Sequence, residues 1–173
     1  MVGVGSRHTQ ALPLALAATL VLMSGDDARA ETATSTLTIS LRAEARCTIG
    51  SMSALSFGQL RVGSQRDATT NLAVTCSGDV PMMIALDAGA HPLPGSSADL
   101  PRRSVVSDEG EWLEYQLYRD ASHRLVWGSA EQVALALKGS PTTVTVPVYG
   151  RVSGGPVRAP GRYQDTVFVT VSY

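Results

Sequence analysis

An excess of charge of either sign is what this sequence most plainly lacks. Its 14 Lys and Arg residues are offset by 15 Asp and Glu, for a net charge of −1. No basic stripe is available to hold a phosphate backbone or an anionic bilayer, so nucleic acid is not an expected partner. Lys138 is the only lysine. Histidine is scarce: after His8 there are only His91 and His123, both in loop-like stretches that read as surface. Neither lies in a G-x-S-x-G elbow or beside clustered Cys, Asp or Glu, so neither a catalytic triad nor a metal site is expected. The acidic run Asp108, Glu109, Glu111 and Glu114 lacks the glycine and the roughly 12-residue pattern of a calcium loop and reads as a solvated turn. Gly154-Gly155-Pro156 leads to Pro160 rather than to a helix, which excludes a phosphate loop. Aromatic residues make up 5% of the chain. Trp112 and Trp127 could stack on a sugar, but a core or hairpin position suits a small β-domain better. Catalysis and a cofactor are therefore not expected.

Long apolar runs are also missing. The longest, Ala11 to Met23, has 13 residues, too few for the roughly 20 that cross a bilayer as a helix. No membrane insertion of the mature chain is expected. With Arg7 and His8 before the run and Ala28-Arg29-Ala30 after it, residues 1–30 read as a secretory signal peptide. Pro13 and the terminal position fit a buried core helix poorly. Cleavage would leave a chain starting near Glu31, with 143 of the 173 residues, enough for one core. Only two cysteines are present, Cys47 and Cys76. An even pair in an exported chain predicts a disulfide. A zinc site would need more ligands, and a redox pair is usually C-x-x-C.

What the sequence does have is short alternating runs between turn residues, the pattern of an all-β sandwich or barrel. From Thr36 to Cys47, Leu37, Ile39, Leu41, Ala43, Ala45 and Cys47 fall on one face. That is about 12 residues, long for one strand. From Thr142 to Val152, Val144, Val146 and Val148 share a face, and Pro147 suggests an edge, bend or strand end. From Asp165 to Tyr173, Val167, Val169 and Val171 share a face. Asn71–Cys76 and Met82–Leu86 flank the turn Ser77–Pro81 and could form a hairpin. Leu113–Tyr118 alternates less cleanly. Glu131–Lys138 is rich in helix formers, yet Val133, Leu135 and Leu137 alternate with Ala, which favours a strand. His91 to Arg103, rich in Pro, Ser and Gly, reads as a surface loop.

Unpaired strand edges template other strands. A long alternating segment near the mature N-terminus, together with a similar C-terminal strand, therefore suggests strand addition between molecules. The alternative is pairing of the N-terminal run within its own sheet.

Several motifs add to this reading. They are Cys47-Thr48-Ile49, Leu55-Ser56-Phe57-Gly58, Val74-Thr75-Cys76, Leu86-Asp87-Ala88-Gly89, and Arg102 or Arg103 after that loop. They continue with Leu113 to Asp120, Trp127-Gly128, Val148-Tyr149-Gly150-Arg151, and Gly161-Arg162-Tyr163-Gln164-Asp165-Thr166-Val167. In this order they resemble the spore coat protein U domain family, which includes subunits of archaic, Csu-like chaperone–usher pili. The loop His91–Ala98 and the Ala-Leu run near Val133 do not match.

The resemblance implies an all-β, incomplete immunoglobulin-like sandwich that lacks its last strand and is completed by donor-strand exchange. It implies a signal peptide over 1–30, a donor strand over 31–41 and a β-sandwich over 42–173. The donor, Thr32 to Leu41, would use Leu37, Ile39 and Leu41 as its plugs. The acceptor groove would be bordered by Val167, Val169 and Val171 and by the strand around Cys47. The implied partners are a periplasmic chaperone, an outer-membrane usher, and identical or related pilus subunits. The chain would pass through the periplasm to the cell surface and serve adhesion or biofilm formation. The rivals are a secreted monomeric coat or matrix protein and a tip adhesin, though a mature chain of this length leaves no room for an added binding domain.

Overall fold

The computed structural model describes residues 34–61, 63–154 and 159–173. The expected signal peptide with its cleavage site, Thr32, and the Gly155-Pro156 turn lie outside them. The chain divides into two units, Met1–Leu41 and Arg42–Tyr173. In the first, residues 34–41 form no strand and are exposed. The expected long strand over Thr36–Cys47 is thus not formed; only Cys47 begins one. Alternation alone does not make a strand, because an extended segment without a ladder partner leaves its N–H and C=O groups to water.

The second unit is all-β among the described residues. Its strands are β1 (Cys47–Ile49), β2 (Arg66–Cys76), β3 (Pro81–Leu86), β4 (Arg103–Ser107), β5 (Trp112–Tyr118), β6 (Leu135–Lys138), β7 (Val144–Val152), β8 (Tyr163–Gln164) and β9 (Val169–Ser172). They form a six-stranded sheet, β1-β2-β7-β5-β4-β8, and a three-stranded sheet, β6-β3-β9. Every pairing is antiparallel. This is the two-sheet arrangement of an immunoglobulin-like sandwich.

Alternation decides which face of each strand is buried. Leu72, Val74 and Cys76 of β2, Leu113, Tyr115 and Leu117 of β5, and Val146, Val148 and Val152 of β7 form one side of the core. Met82, Ile84 and Leu86 of β3 form the other, and Trp127 is fully buried among them. The expected hairpin between Asn71–Cys76 and Met82–Leu86 is not formed. β2 pairs with β1 and β7, whereas β3 pairs with β6 and β9. The reason lies in the two apolar faces: across the sandwich they bury each other, and side by side in one sheet they would both need a third layer.

Glu131–Lys138 is only half a strand. Val133 N and Ala134 N both donate to Ala130 O, at 3.0 and 2.8 Å, so the helix-favouring start makes a turn before β6. Pro147 lies in a central strand opposite Asn71, but the last β5–β7 pair is Tyr118–Tyr149. Pro147 therefore has a ladder partner on one side only, which removes the conflict with its missing N–H. The His91–Arg103 segment is not wholly a surface loop, since Leu93, Pro101 and Arg103 are buried.

Cys47 and Cys76 are bonded, with Sγ atoms 2.06 Å apart. They are also direct partners in the β1–β2 register. The bridge pins β1 at the edge of the six-stranded sheet and closes a separation of 29 residues. In the chain-entropy model a loop of this size stabilises by about 3.5 kcal/mol. Cys76→Ser should therefore lower the urea midpoint of the secreted chain and its yield. Mass spectrometry of unreduced protein should show the bridge, and two free thiols would overturn this reading.

Candidate functional site

Among the described residues the sandwich leaves four strand edges, two on each sheet. β1 and β8 are the edges of the larger sheet, and β6 and β9 those of the smaller. β9 pairs only with β3, with Leu86 opposite Val169 and Ile84 opposite Val171. The burial across this pair is unequal. Met82, Ile84 and Leu86 are 0–3% exposed, whereas Val167, Val169 and Val171 pack against the same core but stay only partly buried. The valines face inward like their β3 partners, and among the described residues no strand covers the far side of β9. Phe168, Thr170 and Ser172, on the other face, are exposed.

The expected donor residues have the opposite character. Leu37, Ile39 and Leu41 are 83%, 84% and 92% exposed, so three apolar side chains at alternate positions stand in water. They belong to the first unit, and Val167, Val169 and Val171 to the second. Cys47 begins β1, the other candidate border, and its bridge ties it to Cys76 at the end of β2. Isolated exposed apolar residues are ordinary, but three at alternate positions of one segment would make an unpartnered apolar face if that segment became a strand.

A buried polar cluster brings together motifs whose role the sequence did not disclose. Arg103, the first residue of β4, is fully buried. Its Nε donates to Asp87 O at 2.8 Å, and its Nη2 donates to Trp127 O at 2.7 Å and to Leu86 O at 3.2 Å. Nη1 donates to Gln116 Oε1. Burial pulls the guanidinium pKa down to about 10, so it remains a cation at neutral pH. Trp127 Nε1 donates to Ile84 O at 2.9 Å. Beside them, Tyr115 Oη donates to Asp165 Oδ2 at 2.6 Å. Burial, reinforced by that carboxylate, holds the phenol well above its ordinary pKa and keeps it a donor. Three well-separated motifs, Leu86 to Gly89, Tyr115-Gln116 and Trp127-Gly128, thus meet at Arg103. Asp165 extends the cluster to the segment before β9. Buried partners of this kind are set by the tertiary fold, and only the motif order hinted at them.

Trp127 is core, while Trp112 is 47% exposed at the start of β5. His91 is half exposed and lies 3.1 Å from Asp165. His123 is not simply a surface residue. It is partly buried, has a left-handed φ of 56°, stands edge-on to Tyr118 at 5.1 Å, and lies 3.1 Å from Arg151 Nη2. The acidic run divides: Asp108–Gly110 is an exposed turn, and Glu114 lies on β5 near Arg102.

The family model for the Spore Coat Protein U domain matches residues 33–170. Protein U of Myxococcus xanthus is 32% identical over 170 residues, covering 92% of this chain and 95% of that protein. Among solved structures, the fold is similar to a chain of the CsuC–CsuE chaperone–tip adhesion subunit pre-assembly complex from the archaic chaperone–usher Csu pili of Acinetobacter baumannii. The TM-score is 0.56 at 22% identity, covering 75% of this chain and 40% of that one. At that identity the likeness speaks for the fold, and the fold agrees with the antiparallel two-sheet sandwich described above. The chain belongs to the spore coat protein U domain family.

Proposed function

We propose that this protein is a structural subunit of a chaperone–usher pilus, polymerised by donor-strand complementation and serving surface adhesion or biofilm formation. The observation that carries the reading is the pairing of two half-solutions within one chain. An exposed segment offers Leu37, Ile39 and Leu41 at alternate positions, and the open edge with the residues leading into it offers Val167, Val169 and Val171, inward-facing but only partly buried. A strand laid beside β9 satisfies its free N–H and C=O groups and buries both sets of side chains at once. Residues 1–30 act as the export signal, 31–41 as the donor, and 42–173 as the accepting domain. A periplasmic chaperone covers the edge in transit, an outer-membrane usher exchanges it for the arm of an identical or related subunit, and the product lies on the cell surface. The fold likeness to a chain of a chaperone–subunit complex from such pili supports this. The chemistry required is burial and backbone pairing, and no step makes or breaks a covalent bond.

A second reading is supported by the family description and by the near full-length match to Protein U. In it the chain is a secreted coat protein whose arm occupies its own edge. The experiment that separates them removes residues 32–41 from the chain expressed with its chaperone and usher. The pilus reading expects fibres from the intact chain by negative stain and only chaperone-bound subunit from the truncated one. Monomeric, chaperone-free intact protein would favour the coat.

A further inference from the structure

Residues 165–168 lead into β9, but the β3–β9 ladder starts only at Val169. Backbone groups of the 87–90 loop and two carboxylates hold them instead. Asp87 N donates to Phe168 O at 3.2 Å, and Phe168 N donates to Asp87 Oδ1 at 3.0 Å. Ala90 N donates to Thr166 O at 2.9 Å and to Asp165 Oδ1 at 3.0 Å. Asp165 also accepts from Tyr115 Oη at 2.6 Å and has His91 Nδ1 at 3.1 Å. Its side chain is only 2% exposed. Gly89, at φ +82°, keeps the loop this close: a Cβ there would stand 2.0 Å from Asp165 Oδ2.

We propose that Asp165 is the positioning residue of the open edge: seated by Tyr115, Ala90 and His91, it fixes the register of Val167, Val169 and Val171 before any strand lies beside them. Asp165 has the same parity as the three valines, so its inward seat sets which face of the strand turns inward. A slip of one residue would turn the valines out and Phe168 and Thr170 in. The ladder that resists this slip is only four pairs long. Beyond that ladder, the strand is held by the 87–90 loop and by the packing of its valines on the core. A carboxylate buried to this degree is costly unless its hydrogen bonds are made, so the seat is occupied in one geometry or lost. The anchor therefore prepares the edge for an incoming strand. That consequence rests on the donor-strand reading; the anchoring itself does not.

The test uses the exported chain as wild type, Asp165→Asn and Tyr115→Phe. Tyr115→Phe keeps the ring against Phe57, 6.2 Å away, and removes only the hydroxyl. Two quantities are measured: amide hydrogen exchange along the chain, and capture of a synthetic peptide spanning Thr32–Leu41. Loss of one hydrogen bond to a carboxylate should raise exchange at residues 167–171 about tenfold or more. Exchange in β2 and β7 should stay near wild type, and peptide capture should slow by about tenfold. Unchanged exchange at 167–171 overturns the proposal, and so does an equal rise across all strands, which would mean a general structural role. If Asp165→Asn fails to fold, Tyr115→Phe still decides. If the wild-type chain captures no peptide, the donor-strand reading fails, while the exchange comparison continues to judge Asp165.

Discussion

Ile39→Asp should abolish fibre assembly while leaving the domain folded on its chaperone. Ile39 is central in the alternating face Leu37, Ile39, Leu41 and is 84% exposed in the single chain. Inserted beside β9 of a neighbour, it would become buried, which contributes roughly 1.5–3 kcal/mol per junction. An aspartate in its place would bury an unpaired carboxylate, at a further cost of several kcal/mol. Thr38→Asp points to the other face, because strand side chains alternate, and should be much milder. The measurement is fibre length by negative stain, with chaperone-bound subunit assayed in parallel. Full-length fibres from Ile39→Asp would show that the donor is elsewhere. If both variants unfold the domain itself, the arm belongs to its own sheet, and the coat reading gains.

The contrast between Ile39 and Val74 explains what could be read in the sequence and what could not. Both sit in clean alternating runs. Val74 is buried because β7 and β1 pair with its strand and β3 faces it, whereas Ile39 has no ladder partner in the chain's described residues. Alternation reports a face that is suited to burial, and it cannot say against what. For the same reason the apolar faces of β2 and β3 were legible but their placement on opposite sheets was not: a short turn between two alternating runs suits a hairpin and a sheet-to-sheet crossing equally. β4 (Arg103–Ser107) was not legible as a strand: its first residue, an arginine, closes the Pro- and Ser-rich stretch that reads as loop, and only four residues of it lie beyond. The disulfide was legible because it needs only an even pair and an oxidising compartment.

Arg103→Ala should be among the most destabilising single changes in the sandwich. The side chain is fully buried, and its five N–H donors fan out to carbonyls on separate segments: Leu86 and Asp87 at the end of β3, and Trp127 before β6, with the Gln116 amide on β5. Truncation takes the arginine's donors from these acceptors, of which Gln116 Oε1 keeps only Leu117 N, and opens a cavity between the sheets. Removing one member of a buried charged network costs on the order of 3–5 kcal/mol, a large part of the roughly 5–15 kcal/mol that holds a domain together. Arg103→Lys should recover only part of the loss. An ammonium is a compact donor and cannot replace a planar fork that reaches several segments at once. Arg103→Met would fill volume but supply no donors, so it should fall near the alanine variant if hydrogen bonding dominates and near wild type if packing does. Arg102→Ala is the control. Its side chain is 42% exposed and pairs with Glu114 at 3.5 Å, and exposed pairs of this kind contribute about 0–1 kcal/mol. Urea midpoints and export yields of the four variants decide the matter. An Arg103→Ala midpoint as close to wild type as that of Arg102→Ala would remove the cluster from any role in holding β3, β4 and the Trp127 loop together.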